Sequence, residues 1–338
     1  MKRNRIVALI LALVMAAAAL VSCSKTQEEQ SSVSSQQSSV SSEKAYTVGV
    51  IQFGSHPSLD NCFAGVEQAL KASELNITID RQDGNFDSAT CDTIAKNMVS
   101  KNYDLIIAIA TPAAVSAYSA AANTTIPVVF CAVSDPVAAG LVDSLEQVGG
   151  NCTGTSDILD LAAQVEMIQA MQPELNSIGV LYTTSEANSV SQLARLKEIA
   201  EEKDIEIVEQ GVQSAADIPQ AAASLAAKVD CINNFTDNNV VNNLSVVLEQ
   251  ANAAGIPVYG SEEEQVVNGC MASIGLDYIA LGRVTGDMAL EILGGADASS
   301  MAVKTITETT PFINKSVMER FEIALPEAYA DATFVDAE

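Results

Sequence analysis

Three short apolar segments recur in the same order, at almost one spacing, along this 338-residue chain. Thr47-Val-Gly-Val-Ile-Gln-Phe53 resembles Ser177-Ile-Gly-Val-Leu-Tyr182, offset by 130 residues. Asp104-Leu-Ile-Ile-Ala-Ile-Ala-Thr-Pro112 parallels Asp230-Cys-Ile-Asn-Asn-Phe-Thr-Asp-Asn238, offset by 126, and Ile126-Pro-Val-Val-Phe130 parallels Ile256-Pro-Val-Tyr259, offset by 130 again. A repeat that keeps its order predicts two similar units. Within each unit, apolar runs (46–53, 104–110, 127–132; then 177–182, 206–208, 230–235, 257–259) alternate with amphipathic stretches over 58–73, 88–101, 112–122, 159–171, 188–203, 215–227, 239–254 and 279–293. Uninterrupted apolar strands separated by helices belong to parallel sheets covered on both faces. The expected fold is therefore α/β, with two doubly wound parallel-sheet lobes joined by a hinge. Lobe one takes residues 46–155 plus about 276–298, and lobe two takes 156–275 plus about 299–338. Repeated crossings of this kind make a hinge.

The chain begins with a basic start (Lys2, Arg3, Arg5), an apolar run over 6–20, and then Leu20-Val-Ser-Cys23. This is the layout of a secretory signal with small residues before the cut. An uncleaved membrane helix is the weaker reading, because about 15 apolar residues fall short of the roughly 20 that span a bilayer. The Leu-Val-Ser-Cys ending resembles a bacterial lipobox, which implies a signal peptide over 1–22 and lipid attachment to Cys23. Residues 24–44 hold nine serines and four glutamines and almost nothing to bury. They read as a flexible linker with a reach of about 25 Å. The body is thus expected on the extracytoplasmic face of the cell membrane, held there by a lipid anchor.

The formal charge of −26 argues against nucleic acid and against adsorption to anionic lipid, since both demand a positive face. Six further cysteines (Cys62, Cys91, Cys131, Cys152, Cys231, Cys270) are scattered, with no C-x-x-C pair and no nearby histidine, so no zinc site is expected. Disulfides and buried free thiols both remain open for them. No G-x-S-x-G elbow, Walker loop or H-E-x-x-H is present, and His56 is the single histidine. Catalysis, a cofactor and a metal are all unexpected.

Ligands of open α/β sheets bind beyond the carboxyl ends of the strands. Two facing lobes bring both sets of ends into one cleft. After the first strand comes Phe53, whose ring can face the cleft, then Ser55 or Ser58 as a helix cap, with His56 read as a turn residue. Thr111 fits an N-cap and Pro112 the first helical position, leaving N–H groups near Ala113 that attract a carboxylate or phosphate. A plain capped helix is the other reading. Ser134 and Asp135 close the next strand. In lobe two, Tyr182 can line the cleft and Asn188 or Ser189 can cap a helix. Phe235-Thr-Asp-Asn238 takes the place that Thr111-Pro112 hold in lobe one. Asp237 suits an ammonium group, or is simply an acid that favours a helix first turn. Glu262-Glu263-Glu264 reads as a solvated run opening a helix.

Several segments carry a family resemblance: Val48-Gly-Val-Ile-Gln-Phe-Gly-Ser-His-Pro57, Ile109-Ala-Thr-Pro-Ala-Ala114, Val133-Ser-Asp-Pro-Val137, Gly149-Gly-Asn-Cys-Thr-Gly154, Glu186-Ala-Asn-Ser189, Thr236-Asp-Asn238 and Leu281-Gly-Arg-Val-Thr-Gly286. With them, residues 46–325 resemble the ABC-transporter substrate-binding family that includes tryptophan- and tyrosine-binding lipoproteins, of type I periplasmic-binding fold. The resemblance implies capture of a small solute, often an aromatic amino acid, between the lobes and its delivery to a permease driven by a separate ATPase; a monomer is expected. Carried onto this chain, it puts Thr111, Pro112, Ala113, Ser134 and Asp135 against the ligand from lobe one, and Glu186, Asn188, Ser189 and Asp237 from lobe two. The ligand carboxylate would lie at the helix N-termini at Ala113 and Ser189, helped by Thr111, with the ammonium on Asp237. Phe53, Tyr182 or Phe235 would stack on the side chain, unless they are core rings. One departure is Asn233-Asn234-Phe235, where an aliphatic strand end is expected. An importer for a non-aromatic solute and a sensor that docks on a membrane receptor stay open as alternatives. A cytoplasmic regulator would need a basic helix-turn-helix, and residues 1–44 offer none.

Overall fold

A computed structural model of the chain describes residues 44–306 and 308–335. The expected signal peptide, Cys23 and nearly all of the expected linker lie outside the described residues. In the first lobe, β1 (Ala45–Gln52), α1 (Pro57–Ala72), β2 (Asn76–Asp83), α2 (Ser88–Ser100), β3 (Leu105–Ile109), α3 (Thr111–Ala121), β4 (Val128–Cys131) and β5 (Cys152–Ser156) follow one another. The second lobe continues with α4 (Leu161–Met171), β6 (Ser177–Thr183), α5 (Ala187–Glu201), β7 (Glu206–Val212), α6 (Ile218–Ala226), β8 (Cys231–Asn233), α7 (Asn238–Asn242), α8 (Leu244–Ala254), β9 (Val258–Tyr259), α9 (Glu263–Val267) and β10 (Ala272–Gly275). The chain then returns through α10 (Tyr278–Leu293) and β11 (Lys304–Thr305), and ends in β12 (Thr310–Asn314), α11 (Lys315–Arg320) and β13 (Thr333–Val335). None of the described helices is long and apolar enough to cross a membrane.

The first sheet has the order β11-β5-β4-β3-β1-β2 and is parallel throughout. Its central strands are apolar on both faces: all five residues of β3 and all four of β4 are buried. The second sheet runs β7-β6-β8-β9, again parallel. Backbone hydrogen bonds from Gly260 N to Ala272 O (2.9 Å) and from Met271 N to Val258 O (2.7 Å) tie β9 to β10, which pairs antiparallel with β12. The two halves therefore share one strand order, β2-β1-β3-β4-β5 against β7-β6-β8-β9-β10. This is the duplication seen in the repeated segments.

Strands β2, β5, β10, β12 and β13 carry no apolar run. Strand β2 is an edge with no fully buried residue, and edge strands tolerate polar residues. Strand β5 (Cys-Thr-Gly-Thr-Ser) is wholly buried yet small and polar. It packs tightly because a Cβ on Gly154 would fall 2.1 Å from the Phe130 carbonyl oxygen.

The return helix α10 belongs to the first lobe. Leu276, Leu281, Met288 and Leu293 join its core, and backbone meets backbone where α10 crosses α1. A Cβ on Gly65 would lie 2.1 Å from Ile279 O, and one on Gly282 would lie 2.0 Å from Cys62 O. Side chains at that crossing would force the helices apart, at a cost of about 1–3 kcal/mol each. Because β11 pairs with β5, the chain stays with the first sheet to residue 305, beyond the expected switch near 298. The lobes are thus joined near residues 157–160, 276–277 and 306–309. All six cysteines of the body are free and buried.

Candidate functional site

The carboxyl ends of the two sheets meet at a chamber lined by His56, Ser58, Leu59, Ala110, Thr111, Ala132, Ser134, Asp157, Asn188, Thr236, Asn238, Glu262 and Tyr278. Its volume is about 20 Å³. A 260 Å³ recess that shares His56, Ser58 and Glu262 opens on one flank. A 460 Å³ recess that shares no lining residue with the chamber is lined by Phe53, Phe86, Pro112, Thr183, Glu186 and Asn239, among others.

Two strand ends of lobe one bend sharply to reach this chamber. Ala110 follows β3 at φ 77°, ψ 153°, and Ala132 follows β4 at φ 55°. The first is a conformation essentially reserved for glycine, and such strain, of order 1–3 kcal/mol, clusters at ligand clamps. The bend starts α3 one residue earlier than its sequence suggests. Ala110 takes the N-cap position and Thr111 and Pro112 the first two helical positions, so Thr111 is no cap and no side chain caps this end. Thr111 faces the chamber and Pro112 the larger recess. The Ala113 methyl is buried in the core, so only its N–H remains for a ligand.

Ser134 gives its hydroxyl to Asp157 Oδ1 (3.0 Å) and lies 3.4 Å from Thr236 Oγ1 across the cleft. Asp135 is displaced from the expected site. It accepts from Ser191 Oγ of the other lobe and from Ala138 N (2.9 Å), and it bridges the lobes outside the chamber. Asn61 Nδ2 to Glu264 Oε1 (2.5 Å) is a second bridge.

In lobe two, α5 begins at Ala187. Glu186 therefore takes the N-cap position, and Asn188 and Ser189 lie in an uncapped first turn. Asn188 lines the chamber, donating Nδ2 to Thr236 O (3.1 Å) while its Oδ1 has no partner. Ser189 spends its hydroxyl on Asp237 Oδ2 (2.7 Å).

Asp237 is fully committed inside lobe two. Its Oδ2 also accepts from Thr183 N (2.6 Å), and its Oδ1 accepts from Thr183 Oγ1 (2.8 Å) and Val240 N (3.0 Å). It caps α7 and knits β6, α5 and α7 together, so it has no free position for an ammonium group. Glu186 is held alike by Asn238 N (3.0 Å), Asn238 Nδ2 (2.6 Å), Asn239 N (3.2 Å) and Asn188 Nδ2 (3.3 Å). Burial and the Asp237 charge nevertheless push it up to about 8.

Among the three candidate rings, Phe53 lines the larger recess and meets Phe86 edge-on at 5.8 Å. Phe235 is fully buried in the core of lobe two. Tyr182 lies against Gly211, away from the chamber. Asn233 and Asn234, the departure noted in the sequence, form a buried lattice instead. Gln164 Nε2 donates to Asn233 Oδ1 (3.1 Å), and Asn234 Nδ2 donates to Gln265 Oε1 (2.9 Å).

Four chamber residues escape the sequence reading. His56 is not a mere turn residue. It occupies the N-cap position of α1, is 8 % exposed, and burial lowers it to about 4, so it is neutral. Glu262 is 1 % exposed and Glu263 and Glu264 are half-buried, so the acidic run is not solvated. Asp157 and Tyr278 follow β5 and β10, whose short polar sequences hide them as strands. Applied to β5, β9 and β10, the strand-end rule points at all three.

A family model for ABC transporter substrate-binding proteins matches residues 47–334. The chain belongs to that family. It is 38 % identical over 326 residues to a tyrosine-binding protein of Clostridioides difficile (strain R20291), covering 95 % of this chain and 93 % of the relative. It superposes with a TM-score of 0.83 on an ABC domain from Streptococcus pneumoniae in complex with L-Trp, at 33 % identity over 86 % of this chain and 100 % of that one. On the ligand-free, open structure of a substrate-binding protein with adhesive properties from Clostridium difficile, the TM-score is 0.67, at 36 % identity over 87 % and 100 %. Members of this family bind and deliver solutes and are not enzymes.

Glu262 and Glu186 share the pH response of this site above neutrality, and Glu262 is the one that lines the chamber. Burial first, then the Glu264 charge, push its carboxyl up to about 8 from an ordinary 4.5. The folded chain thus keeps a proton that the unfolded chain has lost. That contribution is complete below about 4.5 and is lost as pH rises towards 8. His56 acts oppositely, but only between 6.5 and about 4. From pH 6.5 to 8, the melting temperature of ligand-free residues 24–338 should therefore fall. Glu262→Gln should remove about 1 kcal/mol of that loss. Parallel curves for the two proteins would contradict the assignment.

Proposed function

We propose that this protein captures an aromatic amino acid in the chamber between its lobes and hands it to the permease of an ABC importer. The observation that carries the reading is a convergence of buried polar atoms with no protein partner. His56 Nδ1, Ser58 Oγ and Asn188 Oδ1 all belong to residues lining the one chamber. Each unmet group costs about 1–3 kcal/mol, so a solute that supplies the missing partners favours the closed form. The uncapped first turns of α3 and α5 both reach the chamber, one from each lobe. Free N–H groups and the helix dipole suit a carboxylate there, at Ala113 and Ser189 with Thr111 alongside. The ring goes to the 460 Å³ recess against Phe53 and Phe86. Tyrosine and tryptophan are the ligands named for the two relatives that support this choice.

Cys23, at the end of the lipobox-like segment, carries the lipid that keeps the body at the extracytoplasmic face, and a single copy suffices for capture. One chain then reaches the permease through the serine-rich linker.

The test is a melting screen of residues 24–338 with the twenty amino acids and common metabolites. A ligand at 100 times its Kd adds about 2.7 kcal/mol. Tyrosine, tryptophan or phenylalanine should give the largest shift. A shift with another solute and none with these would overturn the aromatic assignment. In cells, Cys23→Ser should abolish incorporation of labelled fatty acid, and unchanged labelling would rule out that anchor.

A further inference from the structure

Four carboxylates are buried at the meeting of the lobes: Asp157, Glu186, Asp237 and Glu262, each no more than 3 % exposed. Among the described residues, none of the ion pairs reaches any of them. Glu186 and Asp237 have their oxygens filled by backbone and side-chain donors of lobe two, as described above. The other two differ. Asp157 accepts a single hydrogen bond on each oxygen, from Ser134 Oγ and from Tyr278 Oη, both at 3.0 Å. Glu262 Oε1 accepts none in good geometry, although the residue is 1 % exposed and the Ser58 and Gln265 side chains lie beside its carboxyl.

Both residues line the chamber, and no lysine or arginine does. A buried carboxylate without a cation or a full set of donors is costly. The unmet acceptors define a place for positive charge. Among the described residues, no group of three His, Cys, Asp or Glu side chains is placed to hold a metal ion. An ammonium group brings three N–H donors, and the pair offers an open acceptor on each Asp157 oxygen and on Glu262 Oε1.

We propose that Asp157 and Glu262 together form the ammonium subsite of the chamber, so that the ligand is recognised as a primary amine. The inference rests on the reading of the chamber as a solute site, and it replaces Asp237 in that role. Asp157 lies on the first crossing between the lobes, and Glu262 on the loop between β9 and α9. The amine therefore bridges the hinge and lobe two, while the carboxylate lies at α3 and α5.

Isothermal titration of residues 24–338 separates the claims. The amino acid that binds best among the twenty is compared with its deamino acid; for tyrosine this is 3-(4-hydroxyphenyl)propionate. Glu262→Gln and Asp157→Asn should each weaken the amino acid at least ~30-fold and leave the deamino acid within about threefold. Glu262→Asp, which keeps the charge, should recover part of the loss. Parental affinity in both amide variants overturns the inference. So does an equal loss for the amino acid and its deamino acid, which marks a structural role only. Stabilisation of the parent by Ca²⁺ or Mg²⁺ that Glu262→Gln abolishes would give the pair to a metal and also overturn it. A non-aromatic amino acid as best ligand removes the ring preference alone, and the same comparison then runs on that ligand. A parent that binds only solutes lacking an amino group overturns the subsite and leaves the chamber as a solute site. A parent that binds nothing overturns both.

Discussion

Two parallel sheets brought together strand end to strand end bury polar groups that water would otherwise satisfy, and the molecule is organised by how that cost is met. Lobe two meets part of it internally. Asp237 takes four donors and Glu186 four more, so the loop after β6, the start of α5 and α7 form one hydrogen-bonded block. Such a block is rigid because removing any one partner leaves a buried group unmet. Around the chamber itself the groups after β1, β6 and β9 are not all met: His56 Nδ1, Ser58 Oγ, Asn188 Oδ1 and Glu262 Oε1 stay open, from both lobes.

The duplication makes the asymmetry plain. Thr111-Pro112 and Asp237-Asn238 stand at matching strand ends, but α3 begins uncapped after a strained alanine, whereas Asp237 caps α7. The same turn thus leaves its N–H groups without a side-chain cap in one lobe and spends them on protein in the other. Lobe two presents the uncapped start of α5 instead. The two uncapped ends meet at one chamber, with Ser191–Asp135 and Asn61–Glu264 bridging the lobes around it.

The sequence was legible where burial writes itself as an apolar run. Strands β1, β3, β4, β6, β8 and β9 and all the long helices carry that signature, and their repetition yields the two lobes. Strand β5 does not, because its packing against Phe130 demands Gly154 and small polar neighbours, and Asp157 went unseen with it. Glu262 was visible but misread. Charge in a sequence usually means solvent, and only the fold shows a carboxylate turned inwards at 1 % exposure. Asp237 erred the other way: its place at a strand end was apparent, but the donors from Thr183 and Ser189 that saturate it come from distant sequence. The family resemblance supplied solute capture and delivery, which the residues alone left open.

A crystal structure of residues 24–338 grown with L-tyrosine or L-tryptophan decides whether the chamber between the lobes is the capture site. One amino acid should lie between the lobes, its carboxylate at the first turns of α3 and α5 and its amine within hydrogen-bond reach of Asp157 and Glu262. An amino acid bound elsewhere on the protein, with the chamber unchanged, would contradict it.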